Sequence, residues 1–211
     1  IDHNSRCRLY ADDLKIYSVF DQRNGDMTLQ GDLTRLKHWA DTWQLSMSVK
    51  KCACMNIGSK FSAPQQYIVG NQTIPTVQSY CNLGVIVDNE LTFREHILHI
   101  TSKAQRRIGL LFKCFISRDA DTLVKALVTY IRPTLEYASS IWSPYQIGLI
   151  DRVESVQRRF TKRIPGLEND DRLTFLSLDS LELRRLKADL LLTYKIIFAL
   201  VDVDCDNYFN V

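Results

Sequence analysis

No apolar run in this chain is long enough to cross a bilayer. The longest, Leu190 to Val201, is too short and carries Lys195 within it. No basic leader followed by an apolar core stands at the start, so no secretory signal is expected. No internal repeat and no low-complexity tract occurs, which argues against a repeat architecture. The six cysteines (Cys7, Cys52, Cys54, Cys81, Cys114 and Cys205) form no spaced framework, so free thiols in a reducing compartment are expected. Cys52 and Cys54 with His96 and His99 lack a second CxxC-type pair. The two histidines also fall in a predicted helix, so no zinc site is expected. An initiator methionine is missing as well. The chain opens at Ile1 and runs into strand-like residues at once, which reads as a piece cut from a longer protein. The expectation is an intracellular protein, nuclear or cytoplasmic, neither secreted nor tied to a membrane.

What is present is ordinary for a globular chain. Its 211 residues are 45% hydrophobic and 24% charged, enough for one domain or two small ones and unlike a disordered sequence. The net charge of +3 says little, but its distribution says more. Residues 1–60 balance at +2, 61–100 at −2, 101–165 at +7 and 166–211 at −4. One stretch therefore holds most of the positive charge, the footprint left by a polyanion-binding surface or by solvated helix faces.

Leu9, Tyr10 and Ala11 lead into Asp12 and Asp13, and Leu14, Ile16 and Val19 alternate on the way out. Strand, acidic tip, strand is the natural description. Asp-Asp suits a hairpin turn in water. It also suits a hard cation, which one or two carboxylates hold together with substrate phosphates. Asn24 to Trp43 then reads as a helix, with Leu29, Leu33, Leu36, Ala40 and Trp43 on one face. Lys51 to Ile57 reads as a short strand, and 58–66 as a loop. Tyr67 to Ile74 reads as a hairpin around Gly70-Asn71, and Leu83 to Asp88 as a further strand. From about Thr92 the chain turns helical. Ile97, Ile100, Ala104, Ile108, Leu111 and Phe115 mark one face. Asp121 can cap a helix over Thr122 to Arg132, which Pro133 ends or bends. Leu149 to Ile164 turns Ile150, Val153, Val156, Phe160 and Ile164 inward, and Pro165-Gly166 closes it. Asp179-Ser180-Leu181-Glu182 reads as a capping box opening Leu181 to Val201, with Leu183, Leu186, Leu190, Tyr194 and Ile197 on one face.

Tyr10-Ala11-Asp12-Asp13 resembles the metal-binding hairpin of reverse transcriptases. Later stretches resemble the same family in the same order, most of all the enzymes of jockey-like retrotransposons that lack long terminal repeats. Lys51-Cys52 matches the end of an Asn-Pro-x-Lys-[Thr/Cys] turn, with Ser48 and Val49 where Asn and Pro are usual. Leu83-Gly84 matches the Leu-Gly of the primer-grip hairpin, with Cys81 and Asn82 between it and Tyr80. Arg132-Pro133-Thr134-Leu135-Glu136-Tyr137 through Trp142-Ser143-Pro144 resembles the signature Arg-Pro-x-Leu-x-Tyr-x-x-x-x-Trp-x-Pro of the thumb. Its large apolar residues read as helix-packing core rather than nucleotide contacts. Glu154 to Ile164 resembles the family again.

The resemblance implies an α+β fold: a partial polymerase palm (β-hairpin, helix, strands) over 1–60, primer-grip-like hairpins over 61–91, and a mostly helical thumb over 92–211. It implies RNA-directed DNA polymerisation, in which a primer 3′-hydroxyl attacks a deoxynucleotide's α-phosphate under a two-metal mechanism. Asp12 and Asp13 would hold Mg2+ or Mn2+, two ions in the complete enzyme. Lys51 would protonate the departing pyrophosphate. Tyr10, Leu83, Gly84, Lys103, Arg106, Arg107, Arg158, Arg159, Lys162 and Arg163 would meet nucleic acid, with RNA template and DNA primer as partners. The family's third aspartate and its fingers have no counterpart here, and neither Asp2 nor Asp21 is assumed to substitute. This chain alone is expected to be inactive. The alternative is a non-catalytic helical remnant that binds nucleic acid or a partner.

Overall fold

The computed structural model describes residues 5–19, 25–58, 66–166 and 172–209. Asp2, Asp21, Asn24 and nearly all of the loop expected at 58–66 lie outside them. The architecture is mixed α+β, with three two-stranded ribbons and a larger helical part among the described residues. The chain divides into two compact units, Ile1–Tyr80 with Asp88–Leu91, and Cys81–Val87 with Thr92–Val211.

In the first unit β1 (Ser5–Tyr10) pairs with β2 (Asp13–Ser18), with Cys7 opposite Ile16 and Leu9 opposite Leu14. Alternation then places Cys7, Leu9, Leu14 and Ile16 on one face. Arg6, Arg8, Tyr10, Asp13, Lys15 and Tyr17 share the other. Helix α1 (Gly25–Thr42) packs against this ribbon. Leu29 and Leu33 of α1 also cover a small core of Tyr67, Val69 and Ile74. That core belongs to the hairpin of β3 (Tyr67–Val69) and β4 (Gln72–Ile74), which turns through Gly70-Asn71 as expected. Gly70 takes a φ of 60°, the left-handed backbone such a turn needs at its first central position. The Gln30 side chain acts as a substitute strand. Its Nε2 donates to the Ile68 carbonyl at 2.8 Å and its Oε1 accepts from the Ile68 N–H at 2.9 Å, which pairs an edge that would otherwise be open.

Two expectations fail in this unit. Trp43 lies beyond the end of α1 and is 67% exposed, so it does not extend the buried face that Ala40 closes. Residues Lys51 to Ile57 form no strand. Val49–Lys51 make one 3-10 turn, and Cys54 alone bridges to Thr76. Cys54 N–H donates to the Pro75 carbonyl and Val77 N–H to the Cys54 carbonyl. Pro75 has no N–H with which to continue that ladder.

In the second unit, residues 81–87 carry most of a third hairpin, β5 (Ser79–Asn82) with β6 (Val85–Asp88). Leu83 and Gly84 form its turn rather than the start of a strand. Helix α2 (Arg94–Cys114) buries Ile97, Ile100, Ala104, Ile108 and Leu111, the face its spacing predicts. Helix α3 (Ala120–Ala126) is capped by Asp119, not Asp121. Asp119 Oδ2 accepts from both the N–H and the hydroxyl of Thr122, and these bonds hold its carboxyl below the usual range. The helix does not stop before Pro133. It widens into a π turn over Leu127–Ile131 and continues as α4 (Arg132–Glu136). The wide turn accommodates a proline that cannot donate to the preceding one.

A short α5 (Ser139–Trp142), then α6 (Ile147–Thr161), α7 (Arg172–Phe175) and α8 (Leu181–Ile197) follow. Val153, Val156, Phe160 and Ile164 are buried as expected, joined by Leu149, while Ile150 is only partly covered. Helix α8 overturns its prediction. It buries Leu181, Arg185 and Ile196, while Leu183, Leu186, Leu190, Tyr194 and Ile197 are exposed. Its cap is Ser180, whose hydroxyl accepts from Leu183 N–H. The expected box one residue earlier does not close: Glu182 N–H donates to Glu154, and the Asp179 carboxylate pairs with Lys187.

His96 is buried at the start of α2. Its Nδ1 accepts the Ile86 N–H at 3.2 Å, so the neutral ring carries its proton on Nε2. Burial, and then the charge of His99, hold its pKa below the ordinary histidine value. A depressed histidine pKa means that the unfolded chain takes up the proton first. Stability from this group is therefore complete above the unfolded pKa and is lost as pH falls below it. We expect thermal midpoints to be flat from pH 8 to 7 and to decline towards pH 5.5. His96→Gln should flatten that decline, whatever its effect on the midpoint itself. An unchanged slope in the variant would assign the pH dependence to other groups.

Candidate metal centre and nucleic-acid surface

The β1–β2 ribbon turns in two residues, Ala11 and Asp12, with Tyr10 opposite Asp13. Ala11 has a φ of 51°, the left-handed region that a two-residue hairpin turn requires but an alanine disfavours. Asp12 and Asp13 are both exposed, and neither makes an ion pair or side-chain hydrogen bond with a described residue. Their oxygens are the hard donors that Mg2+ or Mn2+ takes. Among the described residues no group of three His, Cys, Asp or Glu comes together. Ala11→Gly removes the left-handed penalty, and we expect it to stabilise the ribbon by about 1 kcal/mol. Slower exchange of the Tyr10 and Asp13 amides, the hydrogen-bonded pair next to the turn, would register it; faster exchange would show that Ala11 is not strained.

The second turn of interest, Leu83-Gly84, also has two left-handed residues, with φ of 47° and 83°. The Tyr137 hydroxyl donates to the Leu83 carbonyl at 3.0 Å, and a Cβ at Gly84 would stand 3.4 Å from the Tyr137 ring. Tyr137 in turn is held from behind: Trp142 Nε1–H donates to its carbonyl at 2.8 Å. Within the Arg132-to-Trp142 run, Leu135 and Trp142 are each 1% exposed, core residues as expected, whereas Tyr137 and Ile141 are exposed against expectation. Arg132 is buried too. Its guanidinium donates to Gln157 Oε1 from two nitrogens at 3.3 Å, and Gln157 Nε2 donates to the Asp179 carbonyl at 3.0 Å. This ties α4 to α6 and to the segment entering α8.

Three relatives match most of the chain. A probable RNA-directed DNA polymerase from transposon X-element of Drosophila melanogaster is 24% identical over 163 residues, 75% of this chain and 18% of the relative. RNA-directed DNA polymerases from mobile element jockey are 25% identical over 141 residues in Drosophila funebris, and 23% over 164 residues in Drosophila melanogaster. These cover 65% and 74% of this chain, and 15% and 18% of the relatives. The chain is related to the RNA-directed DNA polymerases of jockey-like retrotransposons. It spans less than a fifth of the length of these relatives. No family model and no solved structure matches it.

The other residues singled out from this reverse-transcriptase resemblance fall as follows. Lys51 is exposed at the end of the 3-10 turn, and its carbonyl accepts from the Tyr80 hydroxyl at 3.4 Å. Tyr10 is exposed beside Asp13 on the ribbon. Lys103 and Arg106 are exposed on α2, and Arg158 and Arg159 on the last turn of α6, with Lys162 just beyond. Arg107 is engaged otherwise, since its Nη1 donates to the Tyr130 carbonyl and to Thr134 Oγ1. Arg163 stacks 5.0 Å over the Phe112 ring. Arg6, Arg8 and Lys15 were not singled out, yet the register puts them on the face of Tyr10 and Asp13, with Arg8 directly opposite Lys15. Like charges across a ribbon repel, and an anion over that face would relieve them. Their alternate spacing was the available signal. The bond between Tyr137 and Leu83 was not foreseen because its partners lie 54 residues apart.

Proposed function

We propose that this chain supplies the metal-binding ribbon, at a palm's end, and the duplex-gripping thumb helices of an RNA-directed DNA polymerase. The substrates of the whole protein are RNA template, DNA primer and deoxynucleoside triphosphates. The observation that supports this most is the twin carboxylates at a two-residue turn, free of any cation among the described residues, in a chain related to three such polymerases. Bound Mg2+ would supply charge neutralisation at the nucleotide's phosphates and activation of the primer hydroxyl. Asp12 and Asp13 hold the ion and fix its place at the ribbon tip. Lys51 is read as the proton donor to the departing pyrophosphate. The exposed arginines and lysines of α2 and α6 neutralise backbone phosphates without reading bases.

Two carboxylates do not make a two-metal centre, so these 211 residues alone should not polymerise. Two measurements test the reading. With Mn2+ and a deoxynucleoside triphosphate, NMR signals of residues 10–14 should broaden selectively, and Asp12→Asn with Asp13→Asn should abolish this. Broadening that survives the double substitution, or is absent from the unaltered chain, removes the metal assignment and leaves the non-catalytic remnant. Primer extension on an RNA template should give no product; robust templated synthesis would overturn the expected inactivity.

A further inference from the structure

The β5–β6 tip is built into the helical unit by a closed circuit of contacts. Leu83 carbonyl accepts from Tyr137, Tyr137 carbonyl accepts from Trp142, and the Trp142 ring meets His96 edge to face with centroids 5.3 Å apart. His96 then accepts from Ile86, three residues beyond Leu83 on the same hairpin. Trp142 and His96 are buried, so the anchor is rigid where it touches the core. The tip itself is open: Leu83 is 44% exposed although its backbone is forced left-handed. A leucine in that conformation gains nothing locally from it, and asparagine or glycine would adopt it more readily. What holds it is the Tyr137 hydroxyl.

We infer that Tyr137 is a positioning residue: its hydroxyl locks the Leu83-Gly84 turn so that the exposed tip meets the nucleic-acid strand in a fixed pose. This rests on the polymerase reading above. It also makes the tip part of the helical unit, since Leu83, Gly84 and all members of the circuit belong to the same compact body. Gly84 fits the same purpose, because a side chain there would strain the left-handed turn, although its Cβ would reach only ordinary contact with the tyrosine ring.

The test uses the full chain, Tyr137→Phe and the pair Tyr137→Phe with Leu83→Asn, with an RNA–DNA hybrid as probe. Phenylalanine keeps the ring and removes the one hydrogen bond. Amide exchange at Val85 should rise by about fivefold, the worth of one such bond. Exchange in the α2 and α6 core should not change. Hybrid affinity should fall measurably, by up to the same factor, since the exposed turn is only marginally locked and only its locked form is competent. Asparagine at 83 favours the turn unaided, so the double variant should restore slow exchange. Unchanged exchange in Tyr137→Phe overturns the positioning role whatever the binding does. Faster exchange with unchanged affinity overturns the tip's role in binding. A wild-type chain that fails to bind the hybrid at low salt removes the polymerase reading instead, and leaves the exchange result to judge the lock by itself.

Discussion

Trp142→Ala should destabilise the helical unit by roughly 3–5 kcal/mol, the range for deleting a large buried aromatic side chain. Trp142 is 1% exposed, packs on His96, and donates its indole N–H to the Tyr137 carbonyl. Alanine would leave a void in a close-packed interior and orphan that carbonyl. The loss is a large share of the ~5–15 kcal/mol that holds a typical domain folded. Urea unfolding followed by far-ultraviolet circular dichroism would measure it, with Trp142→Phe recovering part of the packing but not the hydrogen bond. Leu149 and Leu181, in the same core, give a comparison of aliphatic truncations. A loss under about 1 kcal/mol for Trp142→Ala would mean that the core as described is not the native one.

Trp142 was readable as core from sequence, and the reasons some of its neighbours were not are instructive. Helical periodicity identified the aliphatic part of the buried face of α2, Ile97 to Leu111, but not the buried His96 and Thr101 on the same helix, and Phe115 lies past its end. The same rule misplaced α8, where leucines lie on several sides and spacing cannot say which side a neighbour covers. Asp119 and Asp121 are equally good capping residues in composition; only the backbone entering α3 selects the first. The strand expected at Lys51 to Ile57 is reduced to one bridge, Cys54 to Thr76, and the residue before Thr76 is a proline, 21 residues from Cys54, with no N–H to extend it. At the candidate site the acidic turn was legible because its chemistry is local. The Tyr137 bond to Leu83 was not, since nothing in either segment announces the other. Arg132 shows the same limit: it belongs to the signature run, but nothing local foretells that it is buried on Gln157, where burial depresses its pKa.

Binding of the chain to an RNA–DNA hybrid should be steeply salt-dependent and indifferent to sequence. Lys103, Arg106, Arg158, Arg159 and Lys162 are exposed and make no ion pair with a described residue, so their charges are available to phosphates. If about four of them meet the backbone, log affinity should fall with log salt at a slope near −3.6, roughly a hundredfold loss between 50 and 200 mM. Replacing Arg158, Arg159 and Lys162 by alanine should make the slope shallower by about one unit for each phosphate contact removed. Arg107→Ala should act differently. Its guanidinium braces the Tyr130 and Thr134 turn, so the variant should lose stability while leaving the slope almost unchanged. Fluorescence anisotropy at four salt concentrations, on two hybrids of unrelated sequence, separates these outcomes. A slope near zero, or a large preference between the hybrids, would show that charge on α2 and α6 is solvation rather than a phosphate surface. The concentration of +7 between residues 101 and 165 would then describe helix faces in water, and the duplex-gripping role would fall with it.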